Sequence, residues 1–277
     1  MPSFWTYLAK KHAYSWFLRD RTGASVQIQL RLLQAAFRSL PGPQQLEDTA
    51  CNVFTYHGED GLLLYLITHL PSIPRTFLDI GSGDCVKSNC ALWAVHFGWT
   101  GLFIDADRRN IAIGRSFYSR LPYTRFVPPR FICATVTPEN VQALLTGIQD
   151  VGLVSIDIDG DDYWIWKSLP LRPWIVIIEA RIEFGAVPVV SRYGAGGRAP
   201  AGASVTALCS LAEEKGYTLA AYNRHGYNLI FVRKDLTGQG IKALDPAVLL
   251  SDPTVAACFE ERASMEGKDY FFPTPGS

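Results

Sequence analysis

Between Thr76 and Glu179 the chain alternates short apolar runs with longer amphipathic ones, and this alternation limits the fold more than any other feature. Thr76–Ile80 (TFLDI), Gly101–Asp105 (GLFID), Arg130–Ala134, Gly152–Ile158 (GLVSIDI) and Trp174–Glu179 (WIVIIE) read as strands. Helices are expected between them over Lys87–Phe97, Arg108–Tyr118, Thr137–Leu145 and through Trp164 and Trp166. Strands separated by helices build a parallel sheet with helices on both faces. After a helix over Ala203–Lys215 the rhythm breaks. Tyr217–Tyr222 and Tyr227–Arg233 are joined only by Asn223-Arg224-His225-Gly226, a connection that can make only an antiparallel hairpin.

The flanks read differently. Phe4, Trp5, Leu8, His12, Trp16 and Phe17, then Ile28, Leu30, Leu32, Leu33, Phe37 and Leu40, recur at helical spacing until Leu40-Pro41-Gly42-Pro43 stops them. Residues 1–55 are thus a helical appendage that either caps the core or pairs in a homodimer. A domain over 56–236 follows, and 237–277 form a C-terminal extension. Glu59 and Asp60 open a helix within HGEDGLLLYLITHL, where acidic residues suit the dipole. Residues 185–202, rich in Gly, Pro and Ala, read as a lid.

Composition narrows the function. The 277 residues carry 26 basic and 26 acidic side chains, and this neutrality argues against a nucleic-acid partner. No apolar run reaches the ~18 residues that a membrane span needs. Charges interleave the N-terminal apolar positions, so no secretory leader and no membrane partner are expected. The six cysteines lack Cys-x-x-Cys pairing and read as reduced thiols of a cytoplasmic protein.

The strongest local signal is Asp79-Ile80-Gly81-Ser82-Gly83-Asp84, directly after the first strand. Glycines there let the backbone turn sharply and approach a bound nucleoside. A dinucleotide site would want a third glycine where Val86 stands, whereas S-adenosylmethionine carries no phosphate and needs no such cradle. Asp105 closes the second strand, 22 residues beyond Gly83, placed to accept from ribose hydroxyls. Asp157, Asp159, Asp161 and Asp162 crowd the end of the fourth strand, where α/β sheets hold ligands. Asp157 and Asp159 are the functional candidates, and Asp161 and Asp162 read as caps of the next helix. Glu179 ends the fifth strand. Asp157, Asp159 and Glu179 could ligate magnesium, but the permanent charge of Arg181 could neutralise the same carboxylates, so no metal is expected. His225, in the hairpin turn, is a candidate base. His57 can line the cofactor entrance, and His12, His69 and His96 read as structural. Trp164 and Trp166 read as core and Tyr163 as facing the pocket.

These residues resemble a known family. Gly58-Glu59-Asp60-Gly61, Asp79-Ile80-Gly81-Ser82-Gly83-Asp84, Gly101-Leu102-Phe103-Ile104-Asp105-Ala106-Asp107 and Ser155-Ile156-Asp157-Ile158-Asp159-Gly160-Asp161-Asp162-Tyr163-Trp164 resemble class I S-adenosylmethionine-dependent methyltransferases, nearest to the FkbM-type enzymes. The likeness continues through Gly202-Ala203-Ser204, Lys215-Gly216-Tyr217 and Asn228–Lys234, covering roughly 56–236. It implies a Rossmann-like, seven-stranded, mostly parallel sheet whose last strand is antiparallel. It implies a cofactor site of Asp79, Gly81, Ser82, Gly83, Asp84, Asp105, Ala106, Ala134 and Asp157. In it Asp79 and Gly81 lie by the methionine, Asp105 by the ribose and Ala134 by the adenine. Asp157 would stand where the methyl acceptor is positioned. Two departures stand out: Cys85 replaces the last glycine of the loop, and Arg181 stands where relatives carry Asn.

The expected activity is methyl transfer from S-adenosylmethionine to a hydroxyl or amine of a small molecule, O-methylation in secondary-metabolite or sugar tailoring being favoured. Asp157, Asp159 or His225 would act as base, and Tyr163, Glu179, Arg181 and Asn228 would bind substrate. The rival readings are an NAD-dependent oxidoreductase and a non-catalytic binding module.

Overall fold

The computed structural model describes residues 22–39, 46–121, 124, 127–194, 201–223, 227–238, 240–253, 255 and 270–271. The elements are α1 (Ala24–Ser39), α2 (Glu59–Thr68), β1 (Thr76–Ile80), α3 (Ala91–His96), β2 (Thr100–Asp105), α4 (Arg108–Tyr118), β3 (Arg130–Cys133), α5 (Val141–Leu144) and β4 (Leu153–Ile156). Then come α6 (Asp162–Ser168), β5 (Ile175–Glu179), β6 (Val190–Ser191), α7 (Val205–Lys215), β7 (Tyr217–Tyr222), β8 (Asn228–Arg233), α8 (Pro246–Ser251) and β9 (Tyr270–Phe271).

Seven strands form one sheet in the order β3-β2-β1-β4-β5-β8-β7. The pairs from β3 to β5 are parallel, and β8 runs antiparallel to both β5 and β7. The Rossmann-like parallel core and the terminal hairpin are therefore both present, with the last strand inserted between β5 and β7. Strand order reverses between β1 and β4. Ligands of doubly wound sheets bind outside the carboxyl ends of the strands at such a reversal.

Strand periodicity sends alternate residues to opposite faces. Phe77 joins a core with Leu62, Trp93 and Phe103, whereas Leu78 and Ile80 join one with Val154, Trp166 and Leu208. Asp79 shares the face of Phe77 and stands in register with Ser155 of β4. The helices carry their own punctuation. The Asp107 side chain accepts from Arg109 N at 2.8 Å to cap α4, and that of Ser204 accepts from Ala207 N at 3.1 Å to cap α7. Gly216 ends α7 in the left-handed conformation, φ 81°.

Three details differ from the expectations. The helix after β1 begins at Ala91 rather than Lys87, because residues 82–90 turn tightly around their own side chains. The segment expected as a helix over Thr137–Leu145 is helical only over Val141–Leu144, after turns in which Thr137 and Asn140 bond each other. On α1, Leu30 is buried, yet Ile28 and Leu32 stay 60% and 65% exposed. At about 100° per residue they lie across the helix from Leu30, Leu33 and Phe37, which face the core. Gln34 Nε2 donates to Thr68 Oγ1 at 3.3 Å, fixing α1 to α2. Leu40 and the apolar series from Phe4 to Phe17 lie outside the described residues. Among the described residues no helix is long and apolar enough to cross a membrane.

Candidate functional site

The turn after β1 is shaped by one contact that only glycine permits. Gly81 has φ 80°, and a Cβ there would lie 1.7 Å from the Asp157 carbonyl oxygen. The backbones leaving β1 and β4 therefore touch. Gly81 N and Ser82 N both donate to Ile104 O, at 2.9 and 3.0 Å, tying the turn to β2. Asp84 Oδ1 accepts from Val86 N and Lys87 N, each at 2.9 Å, which folds the chain into a turn and delays the helix. Cys85 takes φ 63°, a glycine-like conformation at the position where the resemblance expects glycine.

A cavity of about 740 Å³ opens over the ends of β1, β2 and β4. One side is lined by Asp79, Gly81, Ser82, Gly83, Ile104, Asp105, Ala106, Asn110, Ala134 and Val136; the other by Ser155, Asp157, Asp159, Asp161 and Asn228. Thr55, Tyr56, His57, Glu59, Lys87, Ser88, Asn89, Asp107, Thr135 and Ile158 complete the wall. Asp105 is held firmly: Oδ2 accepts from Gly83 N at 2.8 Å, and Oδ1 from Asp107 N and Asn110 Nδ2 at 2.8 and 3.1 Å. Asp79 is buried and accepts from Ser88 Oγ. Burial pushes its carboxyl up to about 7, against hydrogen bonds from Ser88, Cys90 and Ser155.

The β4 side is crowded with like charge. Asp157, Asp159 and Glu179 place one ligand atom each within 4.8 Å of one another. Burial, then Asp162, Asp159 and Asp79, push Asp157 up to about 7. Burial and Asp157 push Glu179 to about 8. Arg181 pulls both the other way, its Nη2 standing 3.8 Å from Glu179 Oε2. Asp159 takes φ 58°, a strained conformation for a non-glycine residue at a cavity wall. Asp162 holds the turn, accepting from Ile158 N at 2.8 Å and Gly160 N at 2.9 Å.

The structure sorts the expected site residues. It brings Asp79, Gly81, Ser82, Gly83, Asp105, Ala106, Ala134, Asp157, Asp159 and Asn228 to one cavity, with His57 at its wall. Asp84 is spent on its own turn and lies outside the lining. Tyr163, expected to face the pocket, is 4% exposed in the core beside Trp166, because its position on α6 points inward. Glu179 stands behind Asp157, and Arg181 is engaged by Glu179, Glu183 and Ala201 O, so neither lines the cavity. Asp161, expected to cap α6, instead accepts from Gly194 N at 3.1 Å, docking part of the 185–202 segment that is expected to be a lid. His225 lies outside the described residues. Sequence reading misses Glu59, Ser155, Asn89 and Lys87. The sequence separation of 164 between Glu59 and its partner Asn223 explains the first of these omissions.

No protein-family model matches this chain, and no curated protein sequence matches it. Solved structures do. The magnesium protoporphyrin IX methyltransferase from Synechocystis PCC 6803, with bound SAM, is 10% identical over 74% of this chain and 96% of its own, with a TM-score of 0.40. A putative RNA methyltransferase from Pyrococcus horikoshii is 12% identical over 74% and 96%, with a TM-score of 0.38. An O-methyltransferase family protein from Burkholderia thailandensis is 11% identical over 58% of this chain and 51% of its own, with a TM-score of 0.39.

Proposed function

We propose that this chain is an S-adenosylmethionine-dependent methyltransferase acting on a hydroxyl or amine of a small molecule, with an O-methylated secondary metabolite or sugar as the favoured product. The observation that carries the reading is the meeting of three features at the sheet's reversal point. The glycine turn admits a ligand against bare backbone, Asp105 is fixed at the end of β2, and Asp157 stands at the end of β4. The donor set fits the cofactor. Asp105 keeps one acceptor site free on Oδ2 for a ribose hydroxyl, since a carboxylate offers about four such sites and the protein takes three. Ile104, Ala134 and Val136 offer an apolar bed for a base. Seven carboxylates line the cavity against one lysine and no arginine among the described residues, which suits a sulfonium and an ammonium group.

The same geometry opposes a dinucleotide. A pyrophosphate needs a helix N-terminus beside the glycine turn. Here α3 starts at Ala91, and Val86, in place of a third glycine, is buried.

When bound, the cofactor supplies an electrophilic methyl group. The chain's own residues align the acceptor, and alignment is the largest contribution expected of them. Asp157, with its carboxyl near 7, is poised to take the acceptor's proton near neutral pH, with Asp159 beside it. Arg181 gives Glu179 a cationic partner, so catalysis is proposed to run without a metal. The free thiols Cys51, Cys85, Cys90, Cys133 and Cys209 suit a reducing, cytoplasmic setting.

Calorimetry with S-adenosylhomocysteine and NADH tests the reading. S-adenosylhomocysteine should bind, and Asp105→Ala should weaken it by about tenfold or more, the worth of one charge-assisted hydrogen bond. NADH binding without S-adenosylhomocysteine binding would overturn it.

A further inference from the structure

The proposed mechanism gives no role to Glu59, a buried carboxylate of the cavity wall. Glu59 is the first residue of α2 and is 2% exposed. Its Oε1 accepts from Asn223 Nδ2 at 2.8 Å and from Asn228 Nδ2 at 3.0 Å, across the mouth of the β7–β8 hairpin. Its Oε2 accepts from His57 N at 3.0 Å. One side chain therefore joins residues 52–58 to a hairpin more than 160 residues away.

Residues 52–58 are a shaped strap. Asp60 Oδ2 gathers the backbone N–H groups of Val53, Phe54 and Thr55 at 2.8, 2.6 and 2.9 Å, together with Thr55 Oγ1. Asn52 Oδ1 accepts from Gly58 N at 2.6 Å, closing the loop on itself. Asp60 thus sets the strap's shape, and Glu59 sets where it sits. At the other side of the cavity the Lys87 ammonium lies 5.2 Å from the Tyr56 ring centre, in the turn that follows Gly83. The strap bridges the glycine turn and the hairpin, and Thr55, Tyr56 and His57 face the cavity between them.

We propose that Glu59 is a positioning residue: it latches the 52–58 strap to Asn223 and Asn228 and so fixes one wall against which the cofactor is held. Both of its oxygens are committed, one to each partner element. Glutamine has the same length but only one acceptor oxygen. Whichever way its amide turns, an NH2 group faces either His57 N–H or the two asparagine NH2 groups. Asn223 has little freedom to compensate, because its Oδ1 already accepts from Asn228 N at 3.2 Å.

The proposal rests on the methyltransferase reading only in the choice of S-adenosylhomocysteine as probe. The test compares wild type, Glu59→Gln, the milder strap variant Asn52→Ala, and Leu30→Ala as a destabilised control away from the cavity. Amide hydrogen exchange over 52–58 and S-adenosylhomocysteine affinity are measured well below each variant's melting temperature. Glu59→Gln should exchange faster over 52–58, with exchange in β1 and β4 unchanged, and should lose about tenfold in affinity. Asn52→Ala should shift both readouts the same way by less, and stands in if Glu59→Gln does not fold. Leu30→Ala should leave affinity unaltered despite its lower melting temperature. Unchanged strap exchange in Glu59→Gln overturns the latch. Faster exchange with wild-type affinity overturns the positioning role. If wild type itself binds no S-adenosylhomocysteine, the methyltransferase reading fails, and the exchange result alone decides the latch.

Discussion

At the β1–β2 end of the cavity, Asp105 accepts three hydrogen bonds from the protein and the glycine turn is pinned to Ile104. At the β4–β5 end, no hydrogen bond reaches the Asp157 carboxyl among the described residues, and its neighbours are mostly like charges. The first end is preorganised, with its dipoles fixed before any ligand arrives. The second stores electrostatic tension that a proton, or a cationic or hydroxyl-bearing acceptor, relieves. In the proposed reaction the ordered half would bind and the titratable half would take the proton, since recognition and proton transfer make opposite demands on a carboxylate.

The harshest way to break this comparison is Gly81→Ala. The turn has φ 80°, and a Cβ would collide with Asp157 O, so the two halves would be forced apart. The expected outcome is loss of detectable S-adenosylhomocysteine binding by calorimetry and a fall in stability of about 2–4 kcal/mol by urea titration, the range for strain plus overpacking.

Asp157→Asn separates the halves functionally. It keeps the shape of the side chain and removes its basicity. Single-turnover methylation should fall by about 10²–10⁴-fold, the usual worth of a general base. S-adenosylhomocysteine affinity should change little, because Asp105 and Gly81 are untouched. In wild type the rate should rise with pH through about 7, as Asp157 loses its proton. A pH-independent rate between 6 and 8 would count against Asp157 as base.

Asp79→Asn tests what burial costs the ordered half. The carboxyl titrates near 7 in the folded chain, against an ordinary value of 3.8. The folded state therefore binds more protons than the unfolded one above about pH 4. The contribution of this group to stability is greatest at low pH and is lost as pH rises through about 7. Holding the buried carboxylate ionised above that pH costs on the order of 4 kcal/mol. Asparagine carries no such penalty, so its melting temperature relative to wild type should climb between about pH 5 and 7 and level off above. A constant difference across that range would show that Asp79 titrates normally.

Much of this architecture is legible in the sequence. The βα alternation specifies the parallel core, and the short link between Tyr222 and Tyr227 specifies the hairpin. The carboxylates at strand ends stand out because strand ends are where such sheets place ligands. The misreadings have local causes. Tyr163 is near Asp157 in sequence and so reads as a pocket residue, but α6 turns it inward. Asp84 belongs to the right motif and is consumed by its own turn. Glu59 reads as a residue suited to a helix dipole. Its role depends on Asn223 and Asn228, and no periodicity links positions so far apart. Arg181 does partner Glu179, as its charge and proximity suggest, but Ala201 O also claims it.

The smallest expected effect concerns the packing behind the glycine turn. Cys85 holds a left-handed conformation that costs a non-glycine residue about 1–2 kcal/mol. Its side chain is buried, and burial pushes its thiol up to about 12, so it stays a neutral thiol that fills space beside Ser82 and Gly83. Cys85→Gly relieves the backbone strain but empties a volume beside Gly114. The two terms nearly cancel, and the net change should stay within about 1 kcal/mol. Gly114 sharpens the test, because a Cβ there would lie 2.7 Å from both Cβ and Sγ of Cys85. Gly114→Ala alone should destabilise by about 1–3 kcal/mol through overpacking, and in the Cys85→Gly background most of that cost should vanish, leaving the 3.1 Å approach to Phe131 Cε1. Denaturant titration of the two single variants and the double variant measures this coupling. S-adenosylhomocysteine affinity should hold nearly constant across all three, because the turn is ordered chiefly by Asp105 and Ile104 O, and the Cys85 thiol adds only weak hydrogen bonds to Ser82 Oγ and Gly83 O. If affinity instead follows stability through the cycle, the order of that half depends on packing behind the turn rather than on Asp105 and Ile104.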